Sequence, residues 1–407
     1  MNYQETVNCL FSRLPMYQRD GKSAYKKDLK NTYALLEKLD NPHEKFKSVH
    51  IAGTNGKGTC AHAIAAILQL AGYRTGLYTS PHLKSFTERI KIDGQEVSES
   101  FVVDFVSKME DSIEEIEPSF FEITVAMAFE YFARQKVDIA VIETGLGGRL
   151  DSTNVITPEA CLITNIGFDH TDMLGDTLEK IAIEKSGIIK RGVPVVVGEY
   201  NEETFPIFAD KAKAMGSRLI FDHDFGRRTF PPHFPCHKTK NSDSVFAFVK
   251  ILKELGWKIE DIHSSKGYLE SEKLTGLKGR YQLLSKKPFT IADIAHNEPG
   301  LSALFESVIS GMEKGSLHLV FGTVKDKDLK PIIELFPKNS TYYWTESSVP
   351  RSLEVKELSK IALEQGIRGG SYKNVNDALK SAREKALPED TIVVTGSTFV
   401  VAELDEL

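Results

Sequence analysis

Short apolar runs rich in β-branched residues alternate along the chain with stretches whose apolar residues recur at helical spacing. "KSVHIAG" (47–53) reads as a strand ending in glycine. "TCAHAIAAILQLAG" (59–72) reads as a helix, with an apolar stripe at Ile64, Ile67, Leu68 and Ala71 closed by Gly72. "RTGLYTS" (74–80) is the next strand, and "VDIAVIETG" (137–145), "ACLITNIG" (160–167) and "VPVVVGE" (193–199) are continuous apolar runs of the kind found in parallel strands buried on both faces. The alternation predicts βαβ units in an open, mostly parallel sheet. Residues 217–244, rich in Pro, His and charge, break the rhythm and predict an excursion or irregular strand pair at the sheet edge. "VFAFVKILKELGWKI" (245–259) then resumes as a helix. After "LKGRYQLLSKKP" (277–288) a second α/β series begins, with strands in "FTIADIAHN" (289–297), "SLHLVFGTV" (316–324), "STYYWTES" (340–347) and "DTIVVTGST" (390–398). The expected division is a domain over residues 1–282 and a smaller one over 283–407.

The 407 residues exceed one ordinary core, in keeping with two domains. A net charge of −6 argues against a general nucleic-acid or membrane-surface binder, and no apolar run is long enough to cross a bilayer. Polar and acidic residues stand near the N-terminus where a signal peptide has its apolar stretch. The four cysteines, Cys9, Cys60, Cys161 and Cys236, are far apart, which predicts neither a zinc site nor a disulfide framework and fits a reducing cytoplasm.

"GTNGKGT" (53–59) follows the first strand and opens a helix. It departs from the usual phosphate-loop pattern, because Ile51 stands where the first glycine belongs and Gly58 delays the hydroxyl residue Thr59 by one step. Its setting is nonetheless that of a phosphate cradle. Gly53, Gly56 and Gly58 let backbone N–H groups approach an anion at a helix N-terminus. Lys57 then reaches the β- and γ-phosphates and Thr59 a Mg²⁺ ion. Gly53, Thr54, Asn55, Gly56, Lys57, Gly58 and Thr59 are therefore the candidate ATP contacts, and the first domain is expected to be of the P-loop ATPase type. The bland alternative is a tight turn with a solvated lysine.

Other candidates end strands at the carboxyl edge of the sheet, where ligands bind in such folds. Ser80-Pro81-His82 follows one strand, with Arg89 and Lys91 on a second, short one. Glu143 ends another, ahead of Gly145, Gly147 and Gly148, as an acid placed for Mg²⁺. His170 lies between Asp169 and Asp172. Lys185 sits on a helix beside Glu184, where a solvated or salt-bridged lysine is the ordinary reading. Each has a structural alternative on residues alone: a capped strand end, a solvated carboxylate, a core histidine.

Together these motifs resemble the folylpolyglutamate synthase/dihydrofolate synthase branch of the Mur ligase superfamily, along nearly the whole chain. "GTNGKGT", "SPHL…ERI" and "ETGLGGRLDSTN" carry the resemblance most specifically, joined by "FGTVKDKD" (321–328), "PR" (350–351) and "TGST" (395–398). The resemblance implies a second domain of Rossmann-like α/β type that binds glutamate. It implies that Ser80 and Glu143 hold one Mg²⁺, that His170 and a carbamylated Lys185 hold a second, and that Pro81, His82 and Arg89 border a pterin pocket. It places Asp151 and Asn154 on the substrate side, Arg280 on the nucleotide phosphates, Asp293 at the ribose or a nearby loop, and His296 and Ser397 at the incoming glutamate. The chain departs from the family pattern at Lys278, where proline is usual, and at Ile294 and Glu298 within "DIAHNEPG".

The activity so implied is ATP-dependent amide synthesis. A dihydropteroate or folate carboxylate takes the γ-phosphate to give an acyl phosphate, which the amine of L-glutamate attacks. A bifunctional enzyme is the first expectation, as a cytoplasmic monomer with ATP as co-substrate and no nucleic-acid or membrane partner. Lys57, His170 and Lys185 are the catalytic candidates, and no residue is assigned as base for the glutamate amine. The segment 14–39, aromatic and basic, suits either the pterin pocket or a plain amphipathic helix. The rivals are a P-loop ATPase or kinase acting on another substrate and a non-catalytic nucleotide-binding module. A cell-wall ligase would need an N-terminal domain for which some fifty residues before the loop leave no room.

Overall fold

The computed structural model describes residues 1–16, 28–226 and 236–407. They form two compact units, one of Met1–Arg228 and Lys240–Leu277, the other centred on Lys278–Leu407.

The first unit carries eight strands: β1 (Lys47–Ala52), β2 (Thr75–Tyr78), β3 (Ile90–Ile92), β4 (Gln95–Glu96), β5 (Ile139–Glu143), β6 (Cys161–Ile163), β7 (Val195–Val197) and β8 (Leu219–Phe221). Their order is β4-β3-β2-β5-β1-β6-β7-β8, parallel from β2 to β8 with β3 and β4 added as an antiparallel edge. The apolar runs are explained by double-sided burial: every residue of β5, β6 and β7 is buried. The helix Lys57–Leu70 lies against the sheet, and its residues from Cys60 to Leu68 are all buried, because the helices Asp261–Leu269 and Ser271–Thr275 cover its other side. The approach is close enough that a Cβ on Gly267 would fall 2.8 Å from the Ile67 backbone. The periodic stripe foresaw one buried face, and the alanines between its members allow the second.

Of the excursion or irregular strand pair expected over 217–244, the described residues show one edge strand. Leu219–Phe221 is a parallel edge strand, a 3₁₀ turn follows at Asp222–Phe225, and the helix Cys236–Glu254 begins well ahead of Val245. Its first turns carry small polar residues because the packing demands them. Ser242 and Ser244 are buried, and a Cβ on Gly198 would collide with Ser244 Oγ. Residues 227–235 of that stretch, and 17–27 of the aromatic and basic N-terminal segment, lie outside the described residues. Lys30–Lys38 of the latter is a helix.

The second unit has the order β13-β12-β11-β14-β10-β9, from β9 (Gln282–Lys286), β10 (Phe289–Ala292), β11 (Leu317–Phe321), β12 (Ser340–Thr345), β13 (Gly369–Tyr372) and β14 (Thr391–Thr395). All neighbours are parallel except the β9–β10 hairpin. The main segment of this unit is Lys278–Leu407. Ile294 N donates to Gly279 O at 3.0 Å and Tyr281 N to Asp293 Oδ2 at 2.7 Å, which ties Gly279 and Tyr281 to the second sheet.

Candidate active site

β1 ends at Ala52 and the helix begins at Lys57, so Gly53–Gly56 is the whole turn between them. Gly53 has φ +146°, and a Cβ there would collide with Thr164 Oγ1 beyond β6. Gly56 has φ +83° as the residue before the helix, and a Cβ there would strike the Asn241 side chain. The segment after β6 fastens the loop. Thr54 N donates to Asn165 O (3.0 Å), Asn55 N to Asn165 Oδ1 (2.9 Å), and Thr164 Oγ1 to Asn55 O (2.6 Å). Thr54 Oγ1 donates to Gly167 O and accepts from Gly167 N. The first-turn N–H groups of the helix have no intrahelical acceptor and define an anion position. Gly58 is buried within that turn and Thr59 is half-buried. Lys57 Nζ donates to Gly53 O (3.0 Å) and Thr54 O (3.1 Å), folded back over the loop it would serve.

Glu143 is buried at the end of β5, next to β2, and its Oε2 accepts from Ser80 N at 3.1 Å. The two expected metal-side residues are thus brought together. Beyond Ser80, Pro81 is exposed and His82 half-buried. Arg89 Nε donates to His82 Nδ1 at 2.7 Å, which leaves the ring hydrogen on Nε2. Burial and the Arg89 charge hold His82 neutral, pushing its pKa down to about 2. The Arg89 guanidinium lies 5.2 Å from the centre of the Phe120 ring, on which Phe11 stacks at 5.0 Å. An aromatic wall of Phe11, Phe86 and Phe120 therefore flanks His82 and Arg89.

Lys185 is buried, and its Nζ donates to Gly53 O at 2.8 Å. Burial, assisted by the Lys57 charge, lowers its pKa to about 7 against the pull of Asp169 and Asp151. His170 has a left-handed backbone (φ 49°) and its Nε2 lies 3.8 Å from Asp169 Oδ2.

Asp151 and Asn154, expected on the substrate side, turn inward. Asp151 accepts from Leu146 N, Thr153 N and Thr153 Oγ1, and Asn154 Nδ2 donates to Arg149 O and Gly187 O. The glycine-rich turn after β5 has buried backbone groups that need partners, and these two side chains supply them.

In the second unit, Asp293 spends both carboxylate oxygens on backbone N–H groups, those of Tyr281 (2.7 Å) and Ala295 (2.8 Å). It thereby shapes the turn that bears the half-buried Arg280. His296 Nδ1 donates to Ile294 O at 2.9 Å. Ala295 O accepts from Gly396 N (3.0 Å) and Thr395 Oγ1 (3.1 Å), so the loops carrying His296 and Ser397 are bonded together at the carboxyl edge. Ser397 caps the helix Thr398–Ala402 through Phe399 N. Ile294, the departure from the family pattern, is buried with its N–H on Gly279 O, so the turn closes around it.

Thr164, Asn165 and Asn241 were not read from the sequence as functional. Asn165 carried a signal, an amide two residues past the end of a buried strand at the ligand edge. Asn241 carried none, since only folding brings it to Gly56.

Among the described residues no group of three or more His, Cys, Asp and Glu converges as a metal site. The hard oxygen donors Thr59, Ser80 and Glu143 suit Mg²⁺ completed by nucleotide oxygens and water. His170 and Lys185 suit a second ion only when the lysine is a carbamate, because an ammonium repels a cation.

The Mur ligase middle-domain model matches residues 51–230, and the Mur ligase glutamate-ligase-domain model matches 279–398. The chain is 31% identical to folylpolyglutamate synthase of Lacticaseibacillus casei over 99% of its own length and 97% of the relative's. It is 30% identical to dihydrofolate synthase/folylpolyglutamate synthase of Bacillus subtilis, over 99% and 98%. Among solved structures, Escherichia coli FolC in complex with DHPP and ADP superposes with a TM-score of 0.85 at 27% identity, covering 99% and 96% of the two chains. A bifunctional folylpolyglutamate synthase/dihydrofolate synthase with Mn, AMPPNP and L-glutamate bound superposes at 0.83 and 28%, covering 99% and 97%. With identity of this order running the length of both chains, the protein belongs to the folylpolyglutamate synthase/dihydrofolate synthase family of Mur-type ligases.

Proposed function

We propose that this ATP-dependent carboxylate–amine ligase joins L-glutamate to both dihydropteroate and reduced folates, giving dihydrofolate and folylpolyglutamates. The observation that carries the reading is Glu143 held against Ser80 N, between the phosphate loop's strand and the His82–Arg89–Phe120 wall. An acid for the nucleotide's cation and an aromatic, cationic wall for a ring-bearing carboxylate follow one another along that edge.

The chemistry needs negative charge gathered and neutralised where a carboxylate meets the γ-phosphate. The carboxylate oxygen attacks phosphorus in line, ADP leaves, and an acyl phosphate forms. Lys57 exchanges its Gly53 and Thr54 carbonyl partners for the β- and γ-phosphate oxygens, and the helix N–H groups of Gly58 and Thr59 face the same charge. Arg280 is a further cation suited to phosphate oxygens. Thr59, Ser80 and Glu143 would hold Mg²⁺, and His170 with a carbamylated Lys185 a second ion; when bound, these ions would supply further charge neutralisation. A lysine with pKa about 7 is substantially neutral at physiological pH, which is the form that combines with CO₂. His296 and Ser397 hold L-glutamate while its amine attacks the acyl carbon and phosphate leaves. The buried thiols of Cys60 and Cys161 accord with a cytoplasmic protein, and the reading includes a monomer.

The test is phosphate release from ATP in three reactions: L-glutamate with dihydropteroate, L-glutamate with a tetrahydrofolate, and L-glutamate alone. Release in both folate reactions supports bifunctionality, and release in one names a monofunctional branch. Release without any acceptor overturns the ligase reading in favour of an ATPase.

A further inference from the structure

The first unit ends in the helix Ser271–Thr275, and the chain passes to the second unit directly after Leu277. Two buried side chains from elsewhere in the fold grip that root. Lys91, on β3 and 2% exposed, donates from Nζ to Thr275 O (2.9 Å) and Gly276 O (3.3 Å), with Glu96 Oε1 at 3.8 Å. His62, on the phosphate-loop helix and 5% exposed, meets Thr275 Oγ1 through Nδ1 at 2.7 Å. Thr275 Oγ1 gives its own hydrogen to Ser271 O at 2.6 Å, so His62 Nδ1 is the donor. The β3–β4 turn presses on the same segment: a Cβ on Gly94 would collide with Leu274 O, and Gln69 of the phosphate-loop helix holds Asp93 O at 3.1 Å.

A helix C-terminus ordinarily has its last carbonyls satisfied by water or a following turn. Here a buried lysine takes that role, at the cost of bringing an amine out of water. Gly276, with φ +65°, then turns the chain away. His62 lies little more than one turn along the helix from Lys57, so a displacement of the phosphate-loop helix moves Thr275 with it.

We propose that His62 and Lys91 are positioning residues that tie the root of the interdomain linker to the phosphate-loop helix, so that nucleotide binding is felt at Thr275–Leu277. The catalytic consequence rests on the ligase reading above; the coupling itself does not.

The first readout is hydrogen–deuterium exchange across residues 270–277 with and without ADP and Mg²⁺. In the unaltered enzyme ADP slows exchange there several-fold. In His62→Ala the slowing is lost while ADP affinity stays within about twofold, and His62→Asn, which keeps a donor, regains part of it. Ligation kcat falls about tenfold in His62→Ala with the KM for ATP little changed. Should His62→Ala fail to fold, Thr275→Val removes the same bond from the other side and replaces it in both measurements. Slowing that persists in the variant, absence of slowing in the unaltered enzyme, or ADP affinity that falls in step with kcat overturns the proposal. Failure of the ligase reading shows separately, as the lack of glutamate-dependent phosphate release by the unaltered enzyme.

Discussion

Lys185 Nζ donates to the carbonyl oxygen of Gly53 at 2.8 Å, joining a buried amine on the helix Leu178–Ser186 to the first residue of the phosphate loop. Because burial lowers its pKa from 10.5 to about 7, the folded chain releases this proton near neutrality while the unfolded chain keeps it until about 10.5. Between those values the unfolded state binds more protons, so this group makes stability rise with pH. Lys185→Met removes the effect. In bicarbonate-free buffer its melting temperature is expected to exceed that of the unaltered enzyme most at pH 7 and below, with the gap narrowing toward pH 10. A constant gap would contradict the lowered pKa. The same variant should lose at least 100-fold in turnover, and a carbamate carbon signal from ¹³C-bicarbonate should be present in the parent and absent from it.

Lys57 Nζ donates to two backbone oxygens of its own loop, Gly53 O and Thr54 O. Lys57→Ala removes a cation from the place where phosphoryl charge develops. Turnover should fall by roughly 10²–10³, the range for losing one preorganised electrostatic contact. Normal turnover with an intact fold would remove the phosphate-loop assignment.

Glu143→Gln separates charge from shape. The amide oxygen can still accept from Ser80 N, so the strand end keeps its geometry. Loss of the negative charge should raise the Mg²⁺ concentration needed for half-maximal activity at least tenfold, with thermal stability nearly unchanged. A titration of rate against Mg²⁺ decides it, and an unaltered midpoint would assign Glu143 a structural role.

These residues were legible because of where they stand in the chain. A run of buried apolar residues followed at once by Glu143, or by the glycines around Lys57, marks a strand ending at the ligand edge. Partners supplied by folding alone were not legible. Asn241 reaches Gly56 from a polar helical turn far along the chain, and Phe11 reaches Phe120 from the N-terminal helix. Asp151, Asn154 and Asp293 have hydrogen-bond commitments that the sequence did not show. Polar residues beside a glycine-rich turn look aimed at a ligand, but the turn's own N–H and C=O groups need them first. The ties of Gly279 and Tyr281 to Ile294 and Asp293 were hidden likewise, since both residues read as linker until those bonds are seen.

His296 tests the glutamate side. Its Nδ1 is committed to Ile294 O, so the ring is oriented by the backbone of the loop that Ala295 joins to Gly396. Removing the ring leaves that joint intact, because it is made by Ala295 O with Gly396 N and Thr395 Oγ1. His296→Ala should therefore fold normally and raise the KM for L-glutamate about tenfold or more, with the KM for ATP within about twofold, as expected when one hydrogen-bonding contact to a substrate is lost. Steady-state rates against each substrate separate the two effects. A larger change in the ATP term would move His296 from the glutamate site to the nucleotide. Equal falls in kcat and kcat/KM would instead mean that its contact is made only in the transition state.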